Sequence, residues 1–483
     1  MAKVYQGTYG KDTTDETALV TNLLKYPEIG KKIISQYPRF SLTYLLEAAG
    51  RNAAEKIIGD YAFEWKMMGR YRKPAVVDTG VTISAAAGAT FTVVIEHSPG
   101  DNTYWGDNLN VNDVVRTPAG NTAMVVTVPS VSATATSSTN TITFRAIDAF
   151  DTTNEVLVAG DVLGCIGNAF NQGSLASEVG QNYAYPDTYK NWLTLSRKKT
   201  KIMGSDLTDV TWIESNGHRL WYFTKEQQMT DQFMYELECQ RWYGKKSVGT
   251  AANAADYPGD SGIGAPSAFT AGLPIMGDGL LAQIDSSNQA TYTAGALTEE
   301  DIVNFIGTLS KNALSAEGNV WTVFTGTQGR IDFHRAMKDL LVTLGSGTPV
   351  FAGKGGGDVA LGANFTEYNI LGNKMILAYC PVFDDPNLHN SISSTFDTSN
   401  ESGKMVFVDM GMQNGVSNVE LIAKGAEGFN RSFVKKYVPG MVNPYDYNSM
   451  MAANGDDFFE CQILSESGII LRNPLSCGIL SNS

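Results

Sequence analysis

The chain is expected to be an α+β protein, and three observations predict that class. Helical periodicity and strand patterning occupy separate stretches, no regular βαβ alternation runs along the chain, and no internal repeat is present. A length of 483 residues suggests about two to four domains.

The elements follow in order. Residues 1–73 read as an arm with short helices. In "EIGKKIISQYP" and "FSLTYLLEAAGRNAAEKIIGDYAFEWKMMG", Leu42, Leu45 and Leu46, then Ile57 and Ile58, fall at helical spacing, and Pro38 separates the two segments. From residue 74 to 165 Val, Thr, Ser, Ala and Gly dominate. "TFTVVIEH", "AMVVTVP" and "TITFRAI" alternate or run with β-branched residues between turn signals, which predicts a small all-β unit of five or more strands. An irregular segment from Asn171 to Tyr189 leads to "NWLTLSRKKTKIMGSD", an extended stretch. Residues 206–243 predict one or two helices, the second carrying Met229, Phe233 and Leu237 on one stripe and stopping at Gly244. Residues 245–297, rich in Gly, Ala, Pro and Asp, read as a long loop with room for short strands. Thr298 with Asp301 starts a further helix whose apolar face is Ile302, Phe305, Ile306 and Leu309. "NVWTVFTG" predicts a buried strand and "RIDFHRAMKDLLVTL" a helix. "NKMILAYCPVF", "KMVFVDM" and "NVELIAK" predict strands. The C-terminal "FFECQILSESGIILRNPLSCGIL" predicts a hairpin turning at Ser-Gly.

Composition narrows the function. Hydrophobic residues make up 43% and aromatics 10%, enough for substantial cores, while only 18% are charged. A chain this poor in charge is expected to hide much of its surface against neighbours. The net charge of −14 argues against sequence-specific nucleic-acid reading, which needs a basic face. The charge is uneven, however. No Lys or Arg lies between Ser247 and Ser310, whereas Arg197, Lys198, Lys199 and Lys201 form a basic run. That run suits either packed nucleic acid or the charged protection of a strand edge. The five cysteines are scattered, with no CxxC or Cys/His cluster, so no zinc site or other metal site is expected. The first residues lack the apolar core of a secretory signal, no apolar run is long enough to span a bilayer, and no membrane partner is expected.

No motif carries chemistry. "GDSG" at Gly259–Gly262 echoes a serine-protease turn, yet no His/Asp context accompanies Ser261. "GKGGGD" at Gly353–Asp358 lacks the Ser or Thr that must follow the Lys of a phosphate loop. His97, His218, His334 and His389 lie in separate regions. The pairs Asp384–Asp385 and Asp456–Asp457 read as loop acids. No catalytic residue, cofactor site or cofactor is therefore expected, and the chain is read as a non-enzyme. The stretch "GCIGNAFNQGSLASEVG" has no nucleophile, metal ligand or phosphate cradle beside its glycines, so Gly164, Gly167, Gly173 and Gly180 read as a conformational joint.

The order of parts carries a resemblance. An arm, a β-rich excursion, "GDVLGCIGNAFNQGS", "YKNWLTLS" and a long helix ending "MYELECQRWYGKK" together resemble major capsid proteins of tailed bacteriophages, of the Hong Kong 97 fold. Glu236, Glu238, Trp242, Tyr243 and Gly244 match the acidic and aromatic end of the spine helix in that family. The start, "MAKVYQGTYGKDTTDETALVTNLLKYPEIGKKI", is similar to capsid proteins of crAss-like phages. The resemblance implies an N-terminal arm at 1–73 and an extended loop with an inserted β-domain at 74–172. It further implies a peripheral domain with the spine helix at 173–270, an axial domain at 271–425 and returning C-terminal strands at 426–483. It also implies a homo-oligomer of hexamers and pentamers forming an icosahedral virion shell, assembled in the host bacterial cytoplasm. The implied partners are portal, auxiliary or decoration and head-fibre proteins, and packaged double-stranded DNA met without sequence preference. Two other readings compete: a tail or adhesin protein with a carbohydrate-binding β-domain at 74–165, and a phage-borne hydrolase using scattered acids and Ser261.

Overall fold

The protein is described by a computed structural model covering residues 42–48, 57–67, 75–96, 109–127, 139–150, 156–174, 186–205, 210–215, 218–246, 275–293, 295–312, 319–343, 367–385, 388–389, 401–413, 416–426, 428–441, 443 and 455–482. Chain contacts divide it into two units, one of residues 1–65 and 189–483, the other of residues 66–188. The chain leaves the first unit along strand Ala62–Met67 and returns along Asp187–Trp192, and these two strands pair.

The larger unit holds two six-stranded sheets. In the first, the 14-residue strand Phe458–Leu471 is central. Thr194–Met203 lies antiparallel along one side, and Val419–Ala426 and Val434–Pro439 along the other. Ile57–Ile58 closes this sheet, parallel to Ala423–Lys424. The second sheet runs Gln289–Tyr292, Gly478–Asn482, Met405–Asp409, Val320–Thr325, Asn373–Tyr379, Glu367–Ile370. Five helices accompany them among the described residues: α1 (Leu42–Ala48), α2 (Trp221–Tyr243), the single turn α3 (Leu280–Gln283), α4 (Glu299–Asn312) and α5 (Thr327–Thr343).

The two largest cores of this unit among the described residues follow from this layering. Leu42 and Leu46 of α1, Trp242 of α2, Leu280, Phe324, Val406, Val419 and Ile469 form one, joining both sheets. Trp242 is fully buried, with the rings of Phe324 and Phe383 at 5.2 and 5.0 Å. Burying one such aromatic contributes about 2–3 kcal/mol. The other core packs Ile302, Phe305, Ile306 and Leu309 of α4 and Phe333 of α5 on Trp321, Val323, Met375 and Phe407 of the second sheet.

Local chemistry explains the helix limits. Thr298 and Asp301 form the expected reciprocal cap on α4, with Thr298 Oγ1 donating to Asp301 Oδ2 at 2.6 Å and the Asp301 N–H donating to Thr298 Oγ1 at 3.2 Å. Met229, Phe233 and Leu237 of α2 are buried as their spacing predicts. At Gly244 an added Cβ would lie 2.6 Å from the Gln240 carbonyl oxygen and 2.7 Å from that of Gly277, so close approach of backbones requires the glycine there.

Residues 66–188 form a β unit. Its six-stranded sheet runs Ala75–Val76, Val162–Asn168, Asp113–Arg116, Thr122–Thr127, Thr139–Ala146, Thr90–Glu96. One face buries Val77, Val93, Ile95, Val115, Val125, Ile142, Phe144 and Leu163 in a core of its own.

Three expectations are corrected. Among the described residues, the helical spacing after Phe40 yields α1, whereas Ile57 and Ile58 are a strand, because β-branched side chains fit a pleated neighbour better than a helix turn. Of the one or two helices expected within 206–243 only the long one, Trp221–Tyr243, forms among the described residues, and strands Val210–Ser215 and His218–Leu220, which pair with each other, precede it. The C-terminal hairpin does not turn at Ser467–Gly468. The strand runs straight through, with Ser467 opposite Thr194 and Gly468 opposite Ile422. A Cβ on Gly468 would lie 3.2 Å from both the Trp192 carbonyl oxygen and Leu193 Cδ2, so this glycine serves close packing.

Candidate functional site

The basic run lies on strand Thr194–Met203, where alternation sorts it by face. Lys198 turns toward α2, its Nζ 2.6 Å from Glu236 Oε1, and Ser196 Oγ donates to Gln240 Oε1 at 2.8 Å. Arg197, Lys199 and Lys201 therefore share the opposite face. Register extends that face across the sheet: Lys199 pairs with Gln462, and Gln462 pairs with Lys436. Lys435, next to Lys436, points to the helix side and forms an ion pair with Glu226.

The acids on this outer face are deployed unevenly. Glu460 lies 3.8 Å from Lys199, whose side chain is 69% exposed, so the pair contributes little and leaves the charge open to solvent. Glu466 is buried and held between Arg431 at 2.5 Å and Lys424 at 3.6 Å. The Lys201 ammonium sits 3.4 Å from the centroid of the Phe458 ring. Arg197 and Lys436 make no ion pair among the described residues. The result is a positively charged stripe on the face opposite α2. Such a surface holds phosphate groups by charge alone and reads no bases. Sequence reasoning missed Lys436, and the signal was the Lys435–Lys436 doublet on a strand whose register only the fold supplies.

A second constellation fixes the arm to the helix. Glu238 of α2 is fully buried and accepts from the backbone N–H groups of Leu42 (2.9 Å) and Thr43 (3.1 Å) and from Trp242 Nε1 (3.0 Å). The Thr43 hydroxyl donates to the same carboxylate and accepts from Arg241. Glu238 thereby caps the first turn of α1 from another element.

The remaining candidates have structural partners. Asp384 accepts from the Thr327 N–H and hydroxyl and from Ser402, capping α5, while its neighbour Asp385 accepts from the Tyr235 hydroxyl. His334 Nδ1 is 3.0 Å from the Tyr368 hydroxyl, and burial, then Arg330, pull its pKa down. His389 Nε2 is 3.0 Å from the Val382 carbonyl oxygen. Gly164 and Gly167 lie within strand Val162–Asn168, flanking a bulge, and Gly173 takes a left-handed φ of 85°. Gly180, Ser261, His97 and the Gly353–Asp358 loop lie outside the described residues. No group of three or more His, Cys, Asp or Glu among the described residues is arranged to hold a metal ion. No helix of the described residues is long and apolar enough to cross a membrane.

The described residues thus carry acids bound to caps and anchors, a β unit with its own core and a basic stripe, a set of structural contacts. The chain belongs to the Crassvirus major capsid protein family, whose model matches residues 146–483. Membership bears out the expected Hong Kong 97-type fold and the role of building the phage head shell. No curated protein matches the chain. Among solved structures it is similar to a chain from Microbacterium phage Oxtober96, at 9% identity and a TM-score of 0.38 over 96% of this chain and 97% of that one. It is also similar to the bacteriophage PhiM1 mature capsid chain, at 11% identity and 0.33 over 65% and 79%. The SrpI encapsulin of Synechococcus elongatus PCC 7942 matches at 11% identity and 0.33 over 62% and 77%.

Proposed function

We propose that copies of the chain associate as hexamers and pentamers tiling an icosahedral shell in the host cytoplasm, with the stripe of Arg197, Lys199, Lys201 and Lys436 turned toward packaged double-stranded DNA. The observation that carries the DNA-facing orientation is the register that gathers these cations on one face while α2 covers the other. A chain of net charge −14 that keeps an exposed cationic stripe has a reason to present it to phosphate. In this reading residues 1–73 form an arm and 74–172 an extended loop with an inserted β-domain. Residues 173–270 are the peripheral domain, 271–425 the axial domain and 426–483 the returning strands. Gly164, Gly167, Gly173 and Gly180 act as the joint between loop and body. Portal, auxiliary or decoration and head-fibre proteins complete the particle, and no step of catalysis is assigned to it.

The test is a chain carrying Arg197→Ala, Lys199→Ala and Lys436→Ala. Electron micrographs should show shells of ordinary form, while the slope of log affinity for duplex DNA against log salt falls by about 2.7, at roughly 0.9 for each phosphate no longer neutralised. An unchanged slope would refute the DNA-facing orientation, and a wild-type chain that never forms shells would refute the assembly reading.

A further inference from the structure

An acid stands inside the cationic stripe. Register sets Glu460 of the central strand directly opposite Lys201, and Gln462, next along the same face, opposite Lys199. Oppositely charged side chains in directly opposed positions ordinarily attract one another across the strands. Here the lysine turns elsewhere. The Lys201 ammonium lies 3.4 Å from the centroid of the Phe458 ring, its diagonal neighbour, and takes the aromatic face in place of the carboxylate. Among the described residues Glu460 has one ion pair, to Lys199 Nζ at 3.8 Å, and that lysine side chain is 69% exposed.

A neutral partner holds Glu460 instead. Gln462 Nε2 donates to Glu460 Oε2 at 2.9 Å. The Glu460 side chain is only 12% exposed, so salt screens its charge less than it screens an open charge such as Lys199. Glu466, on the same face of the same strand, shows the contrast, since Arg431 and Lys424 both close on it. A positioned and weakly paired anion therefore sits among Arg197, Lys199, Lys201 and Lys436.

We propose that Glu460 tunes DNA contact by limiting how tightly the stripe holds phosphate. The inference rests on the DNA-facing reading of that stripe. A carboxylate beside a cation takes up part of its attraction and repels an approaching phosphate. The need for such a limit follows from repetition. A shell presents the same stripe from every copy to one duplex, and contacts that act together compound their affinities. A modest excess at each copy would hold the duplex fast, whereas a weaker stripe leaves it free to slide.

Affinity for duplex DNA across a salt series, and melting temperature, are measured on the full chain for the wild type, Glu460→Gln, Glu460→Asp and the Arg197→Ala, Lys199→Ala, Lys436→Ala variant. Glutamine keeps the size and an acceptor for Gln462 while removing the charge. It should tighten binding about threefold, the Coulomb repulsion of one unit charge about 6 Å from a phosphate in water. It should also steepen the salt slope by up to about 0.9, as one more phosphate is neutralised. Its melting temperature should stay within about 2 °C of the wild type, because an ion pair this open contributes little. Aspartate keeps the charge and should bind as the wild type does. If Glu460→Gln binds no tighter while the triple-alanine chain loses slope, the tuning role fails and the DNA-facing reading stands. Weaker binding by Glu460→Gln also overturns the tuning role, since Glu460 would then be positioning Lys199 for phosphate. If neither variant changes the slope, the DNA-facing reading is overturned and the tuning role with it.

Discussion

Removing the carboxylate of Glu238 tests how the arm is tied to the spine helix. The group is fully buried and serves four donors: the N–H groups of Leu42 and Thr43, the Thr43 hydroxyl and the Trp242 indole. In Glu238→Ala the hydroxyl can reorient, but two backbone N–H groups and the indole N–H lose their acceptor in a site with little room. Arg241, buried beside Thr43, also loses the anion at the end of its hydrogen-bond chain. Each unsatisfied buried donor costs about 1–3 kcal/mol, and breaking a buried charged set costs about 3–5 kcal/mol in all. We expect a loss of about 4 kcal/mol, concentrated at α1. Glu238→Gln keeps one acceptor oxygen and should lose roughly half as much. Hydrogen exchange at the Leu42 and Thr43 amides reads the effect where it arises. Their protection should collapse in Glu238→Ala while the amides of Phe458–Leu471 stay protected. If the Leu42 and Thr43 amides exchange as slowly as in the wild type, Glu238 is not the anchor.

Two further outcomes follow from the structure. Gly173 has a left-handed φ of 85° with open space where a Cβ would stand, so Gly173→Val suffers backbone strain of about 1–2 kcal/mol without a clash; normal shell yield from that variant would count against the joint. Burial pushes the thiols of Cys461 up to about 11 and of Cys239 and Cys477 up to about 12, and the phenols of Tyr368 and Tyr379 up to about 12. The folded pKa exceeds the unfolded one in each case. The folded form then holds protons that the unfolded form releases, so stability is full below about pH 9 and falls as pH rises toward 12. Denaturant midpoints between pH 8 and 12 should decline, less steeply in Cys477→Ala, and a flat profile would contradict the assignment.

Much of this was legible in the chain itself. Periods of 3.6 and 2 placed α2, α4, α5 and most long strands, because their apolar faces are regular and their caps local, as at Thr298–Asp301. The order of these parts carried the capsid resemblance that family membership bears out. Errors fell where local preference and tertiary partners disagree. Ile57 and Ile58 have helical spacing but gain a parallel neighbour at Ala423 and Lys424. Gly468 looks like a turn residue but makes room for Trp192 and Leu193. The sites divide in the same way. Sequence by itself determined that a basic run exists, that no nucleophile motif accompanies the glycines, and that the charge is sparse and uneven. Only the tertiary structure decided which cations share a face, since register with Phe458–Leu471 sets Lys436 on the face of Lys199, with Gln462 between them, and alternation removes Lys198 to the helix side. It also decided that Glu238 meets residues 196 and 195 positions away. Such pairings depend on which strands and helices become neighbours, and no local pattern encodes that.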